Sequence, residues 1–229
     1  MKSNFSLVLA VIAAIALLAQ PGSPLKAAVV FSDNFSAYPT GACMIDGTVF
    51  GPWTVVFAGF GCVKVETDGV NNWLHEQPKT PVGGSSHAAL TVGPSFSGAL
   101  TYDVRLLTVQ RLSARPKAWH VAWVFWNYTD NTHFYYFIPK PNGWELGKED
   151  PAYPGNQRFL ATGTSPTYPI GQWYAVHVTQ DANNTITVSV NSQQIVTFTD
   201  RERPYISGKI GLYTENAHSH FDDVVVSQP

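Results

Sequence analysis

Apolar and polar residues alternate with a period of two along most of the chain after Val29. The pattern is clearest toward the C-terminus. Trp173-Tyr174-Ala175-Val176-His177-Val178, Thr185-Ile186-Thr187-Val188-Ser189-Val190 and Ile195-Val196-Thr197-Phe198 read as three strands joined by the turns Asp181-Ala182-Asn183-Asn184 and Asn191-Ser192-Gln193. Gly208-Lys209-Ile210-Gly211-Leu212-Tyr213 and Phe221-Asp222-Asp223-Val224-Val225-Val226 follow as two more. Upstream, the same alternation predicts strands over 29–35, 53–57, 62–67, 72–76, 87–92 and 98–107. No helical periodicity competes with it, and Gly and Pro punctuate the chain at strand-like intervals.

The middle of the chain departs from alternation. Residues 118–128 (Ala-Trp-His-Val-Ala-Trp-Val-Phe-Trp-Asn-Tyr) and 133–139 (His-Phe-Tyr-Tyr-Phe-Ile-Pro) are almost wholly apolar, and Thr129-Asp130-Asn131-Thr132 joins them as a hairpin turn. A strand that is apolar on both faces is covered on both. One face belongs to a core between sheets. The other belongs to a ligand groove, a partner or a covering loop. Pairwise alternation places Trp119, Val121, Trp123 and Phe125 on one face of the first of these strands, and His120, Ala122, Val124, Trp126 and Tyr128 on the other. Pro141-Asn142-Gly143 makes a second tight turn into a returning strand at 144–148, then 149–155 reads as a Pro-rich loop and 159–162 as a short strand.

The N-terminus has a different pattern. Lys2 precedes an apolar run over 7–19, closed by Gln20-Pro21-Gly22, and Leu25-Lys26-Ala27-Ala28 supplies small residues for cleavage. This predicts a signal peptide over 1–28 and a secreted or periplasmic mature chain, a single domain over 29–229. The competing reading, a retained N-terminal anchor, is disfavoured by the shortness of the run. No later segment is apolar enough to span a membrane, so none is expected in the mature chain. In an oxidising compartment Cys43 and Cys62 are expected to form a disulfide that closes a Gly-rich segment.

Charge narrows the partners. The chain carries a formal net charge of −2 with only 13% charged residues, which leaves no basic face for nucleic acid. Aromatic residues make up a further 13%. Tryptophan and tyrosine at that level suit stacking against sugar rings, and they equally suit the core of a β-sandwich.

Many short strands without helices define an all-β fold of two packed antiparallel sheets. The opening Phe31-Ser32-Asp33-Asn34-Phe35, the Gly-x-Trp-Tyr strand at 171–174, the hairpin over 186–196, the Gly-x-Ile-Gly-Leu-Tyr strand and the closing Phe-Asp-Asp-Val together resemble the concanavalin A-like (laminin-G-like) jelly-roll superfamily. The pattern is most similar to secreted bacterial 3-keto-disaccharide hydrolase-like and carbohydrate-binding domains. The resemblance implies a jelly-roll sandwich with a poly- or oligosaccharide as partner. It also implies a structural Ca2+ between the first and last strands, with Asp33, Asp222 and Asp223 as matching residues. Neighbouring residues on a strand face opposite ways, so Asp222 and Asp223 require a bulge to act together.

The candidate chemistry falls on the central strands. Trp119, Trp123, Trp126 and Trp144 are candidate stacking platforms for a sugar. A lyase would need a base, for which His120 and Tyr135 qualify, and a cation, for which Arg105 and Lys140 qualify. A hydrolase would need paired carboxylates; Glu145 and Glu149 are the central glutamates, and the Glu-x-Asp-x-x-Glu signature of laminarinase-like jelly rolls is absent. His133 falls among the same aromatic residues. His218 and His220 share one strand face and could hold a transition metal, although the sequence shows no third ligand. The reading with most support is a monomeric carbohydrate-binding sandwich. The alternatives are a lyase or glycoside hydrolase on the same scaffold, or a cell-surface adhesion module.

Overall fold

The computed structural model describes residues 27–229. The predicted leader therefore lies outside the described residues but for its last two positions. Sixteen strands of the described residues form two antiparallel sheets of eight. The first sheet runs β14 (Gln193–Thr199), β13 (Thr185–Val190), β12 (Trp173–Gln180), β7 (Leu100–Arg111), β16 (Ala217–Gln228), β5 (Asn72–Gln77) and β4 (Cys62–Thr67), with β1 (Ala28–Asp33) also paired to β16. The second runs β11 (Gln157–Gly163), β10 (Gly143–Glu149), β9 (His133–Lys140), β8 (Ala122–Asp130), β15 (Ser207–Glu215), β6 (Ala88–Ser97), β3 (Trp53–Phe57) and β2 (Val49–Phe50). The chain's first and last strands lie side by side, Asp33 opposite Val224. Only one short 3-10 turn, Pro154–Asn156, interrupts the β structure of the described residues.

Alternation dictates which side chains meet. Leu74, Tyr102, Val104, Leu106, Val176, Ile186 and Phe221 of the first sheet face Trp53, Val124, Trp126, Tyr135, Phe137, Leu146 and Leu212 of the second, and all are buried. A second apolar cluster lies on the far side of the second sheet. It contains Leu90, Val121, Trp123, Phe125, Phe134, Tyr136 and Ile138. The strands that looked apolar on both faces do serve two layers.

Three departures from the sequence expectation have local causes. The strand expected from Ala118 starts at Ala122, because His120 N–H donates to the Lys117 carbonyl (3.1 Å) and Val121 N–H to the Trp119 carbonyl (2.9 Å), so these groups close turns instead of joining a ladder. Within β8, Asn127 takes a left-handed conformation, with φ at 52°, and the register shifts against both neighbours. Asn tolerates this conformation, and the resulting bulge moves Tyr128 from the core side to the outer cluster. Finally, β10 continues through Glu149, which pairs with Phe134 and Gln157. Glu149 is thus a strand residue and not part of a loop.

The expected disulfide joins Cys43 and Cys62 with a Cα separation of 5.3 Å. A second tie lies between the layers. Lys148 is fully buried and donates to Asp200 (2.8 Å) and to the Arg203 carbonyl (3.1 Å), and the Tyr135 hydroxyl donates to the same Asp200 oxygen (2.6 Å). Burial pushes the Asp200 carboxyl up, but the bonds from Lys148 and Tyr135 outweigh it and hold it below the usual range. Asp200→Ala takes the nearer carboxylate from the buried ammonium and leaves it only Asp150, at 3.5 Å. It is expected to cost about 3 kcal/mol of stability in urea denaturation, whereas Arg201→Ala at the exposed neighbouring position changes little.

Candidate functional site

The outer face of the second sheet carries a groove of about 610 Å³. Its floor is built by outward-facing positions of four adjacent strands. On β10 these are Glu145, Gly147 and Glu149, since the alternate residues Trp144, Leu146 and Lys148 turn inward. Cross-strand pairing places Glu145 opposite Ile138, Gly147 opposite Tyr136, and Glu149 opposite Phe134. Further across, Phe125 pairs with Tyr136 and Trp123 with Tyr213. Gly147 is required by this packing. A Cβ there would collide with the Tyr136 ring and hydroxyl, which lie over it.

The floor is aromatic. The Phe125 ring stacks on Phe134 (4.2 Å between centroids) and on Tyr213 (4.8 Å), while Trp123 meets Tyr213 at 5.0 Å and Tyr136 at 5.3 Å. Trp119 stands at the rim, 42% exposed, and its carbonyl accepts the Trp123 indole N–H (2.8 Å). Polar groups border the rings. Lys140 donates to Glu145 (2.7 Å), and the Tyr136 hydroxyl donates to the other Glu145 oxygen (3.0 Å) while accepting from Gln157 Nε2 (2.8 Å). Asn131, Asn142 and Glu215 complete the polar part of the lining.

Two of these carboxyls have shifted acidities. Desolvation raises Glu149 to about 7, with no cation paired to it to offset the effect. Burial also raises Glu215, partly offset by hydrogen bonds from Tyr213, Ser86 and Trp119. Glu149 can therefore exchange a proton near neutral pH beside a stack of rings. That pairing of an apolar floor with a poised acid is characteristic of reactive sites.

The expected site residues fall into separate places. Trp119, Trp123 and Glu145 line the groove, as does Lys140. Trp126 and Trp144 do not; both are in the core, with indole N–H groups donated to Gln180 (2.9 Å) and the Ser165 carbonyl (3.0 Å). Tyr135 is also a core residue. Its hydroxyl is committed to Asp200, and desolvation pushes its pKa far above the ordinary tyrosine value, so it stays protonated and is no base. Arg105 lies on the opposite sheet, its guanidinium 4.9 Å from the Trp173 ring centroid and 3.0 Å from Asp223. His120 is buried behind the rim, where Nδ1 accepts the Lys117 N–H (3.2 Å) and Nε2 faces Asn216 (3.3 Å). His133 pairs with Asp130 at the hairpin turn. The expected constellation of His120, Arg105, Tyr135 and Glu145 is thus not a single site.

Asp33, Asp222 and Asp223 do not form an oxygen cage. Asp33 accepts from Phe35 N–H (2.8 Å), Tyr38 (2.5 Å) and the Trp53 indole (2.8 Å). The bulge needed between the other two is present, with Asp223 at φ 51°, but their carboxylates diverge. Asp222 is buried on Asn71 (2.7 Å) and Asp223 reaches outward to Arg105. As placed, these residues do not fit calcium.

Sequence reading passed over Phe125, Phe134, Tyr213, Gln157 and Glu215, and set Glu149 aside. Outward alternation on β10 was available as a signal for Glu149. The signal for Tyr213 was its place two residues after Gly211 on a strand bordering the aromatic pair.

Fold and groove together define a concanavalin A-like jelly roll with a lined face. A family model described as the 3-keto-alpha-glucoside-1,2-lyase-like domain matches residues 97–227, which span β7 to β16 and most of the groove. The chain belongs to that family, which is one of concanavalin-like sandwiches. No curated protein matches the sequence. Among solved structures, the carbohydrate-binding module CBM66 from Bacillus subtilis is similar at TM-score 0.57 and 12% identity, over 82% of this chain and 100% of that one. The GlcNAcα1-4Gal-releasing endo-β-galactosidase from Clostridium perfringens aligns at TM-score 0.56 and 10% identity, over 92% and 65%. The T. cruzi calreticulin globular domain aligns at 0.53 and 12%, over 87% and 88%. These likenesses establish the shared sandwich.

The raised pKa of Glu149 has a thermodynamic consequence. Between the unfolded value near 4.5 and the folded value near 7 the native state binds more protons, so this residue lowers stability as pH rises through that window. Glu149→Gln removes the effect. The variant is expected to be more stable than wild type at pH 8 by on the order of 1 kcal/mol, discounted for partial solvent access, and to lose that advantage at pH 4. Urea denaturation at the two pH values measures it.

Proposed function

We propose that the groove of the second sheet binds a short saccharide and that the protein acts on it by elimination, its substrate an α-glucoside carrying a carbonyl at C3. The observation that carries this reading is the placement of Glu149, poised near neutral pH, at the end of the aromatic floor. Ring faces such as Trp123 and Tyr213 pack against the C–H surface of a pyranose. The family description supports the keto sugar as the substrate class.

The chemistry follows from the groups available. A C3 carbonyl acidifies the proton at C2. Glu149 takes that proton as general base, and the electron pair moves toward the carbonyl oxygen, where the amide of Gln157, the cross-strand neighbour of Glu149, offers a donor. The pair then forms the C1–C2 double bond as the C1–O bond breaks. The departing oxygen takes back the proton that Glu149 received. No net oxidation or reduction occurs. A two-carboxylate hydrolysis fits less well. Glu145 and Glu149 are four residues apart on one strand, roughly 13 Å along it, while hydrolase carboxylates stand about 5–9.5 Å apart. Glu145 is moreover held by Lys140 and Tyr136. We place the protein outside the cytoplasm; the N-terminal apolar run and the Cys43–Cys62 bridge support this.

Elimination yields a conjugated enone that absorbs in the near ultraviolet. Incubation with 3-keto-α-glucosides is expected to give a rising absorbance. Glu149→Gln should lower kcat by about a hundredfold or more with little change in KM. Binding without any turnover by wild type would overturn the elimination and leave recognition alone. Absence of binding would overturn the groove as a sugar site.

A further inference from the structure

On the outer face of the first sheet, away from the groove, three adjacent strands bring together side chains that the saccharide reading does not use. His75 of β5 pairs across the ladder with His220 of β16, and Glu66 of the neighbouring β4 leans over the same spot. We propose that Glu66, His75 and His220 form a binding site for a divalent transition-metal ion of the zinc type.

The geometry supports this directly. One ligand atom from each residue lies within 4.8 Å of the others. Glu66 Oε2 stands 2.6 Å from His75 Nδ1 and 3.8 Å from His220 Nε2. His75 is only 6% exposed, and its Nε2 is buried with no hydrogen-bond partner. An orphaned ring nitrogen of this kind costs stability unless something binds there. The rings of His75 and His220 are 4.3 Å apart, and His218, two residues earlier on the same strand face, lies 5.8 Å from His75 as a further imidazole. Trp73 covers His220 at 5.1 Å, so the cluster is walled on one side by an indole. Such packing of imidazoles is an unusual way to fill the outer face of a sheet.

The donor set also selects the ion. Two imidazoles and one carboxylate match the ligand types of zinc sites that keep an open position. Calcium and magnesium would want more oxygens than this cluster offers. The second Glu66 oxygen is held by Lys64 (2.8 Å), which orients the carboxylate. The pair His218 and His220 was visible in the sequence. Only His220 of that pair belongs to the trio; its partners Glu66 and His75 lie about 150 positions upstream and reach the site only through the β4–β5–β16 pairing. An ion here would pin the N-terminal third of the domain to its last strand.

The test uses the tag-free full-length chain, stripped with a chelator and dialysed against zinc. Elemental analysis is expected to find one zinc per chain. Cobalt substitution is expected to give visible d–d absorption bands from the wild type alone, which needs no variant. His75→Gln and His220→Gln should each weaken zinc binding more than tenfold by calorimetry. Glu66→Gln, at a partly exposed position that tolerates substitution, should do the same without loss of fold by circular dichroism. Wild type that retains no zinc and shows no cobalt bands would overturn the proposal, as would folded variants that bind zinc as tightly as wild type.

Discussion

The structure depends on a demand placed on three central strands: β8, β9 and β10 must satisfy two apolar layers at once. Their inward residues, Trp126, Tyr135, Phe137 and Leu146 among them, close the sandwich against the first sheet. Their outward residues, Trp123, Phe125, Phe134 and Tyr136, would be an exposed apolar patch if nothing covered them. They stay buried because they stack on one another and sit below a rim of loops and polar side chains. A single register thus sets both the core and the groove. A one-residue slip would exchange the two sets and destroy both.

Polar groups are distributed with the same economy. The Lys148–Asp200–Tyr135 network satisfies a buried ammonium, a carboxylate and a phenol between the layers, and so anchors the segment that follows β14 to the second sheet. The groove treats its charges differently. Glu145 is paired with Lys140, but Glu149 lies where burial costs its charged form and no cation compensates. The first arrangement stabilises the fold. The second keeps a proton mobile, at a cost in stability, which is how a reactive carboxyl differs from a structural one.

Local pattern carried the architecture far. Period-two alternation located nearly every strand, and two-sided apolarity marked β8 and β9 as serving two layers. The pairing of first and last strands followed from the resemblance. The site was less legible, for reasons that can be named. Two-sided apolarity does not say which face is core, so Trp126 and Trp144 looked equivalent to Trp123. The Asn127 bulge breaks the parity on which face assignment rests, and moves Tyr128 to the outer layer. Arg105 and Tyr135 carry suitable chemistry, but sheet order puts one on the far sheet and the other in the core. Glu149 was hidden by the prolines that follow it, which made the end of its strand look like a loop. Residues joined only by long-range pairing, such as Glu66 with His220, leave no local trace.

The central claim is that the outward face of the second sheet, and not the other indole-bearing surface around Trp173, receives the sugar. Indole N–H resonances in two-dimensional NMR, followed during titration with a 3-keto-α-glucoside, test this most directly. The account predicts that Trp119 and Trp123 shift with saturation, while the sealed Trp126 and Trp144 and the distant Trp173 stay in place. Saturable shifts at Trp173 with Trp119 and Trp123 unmoved would contradict it.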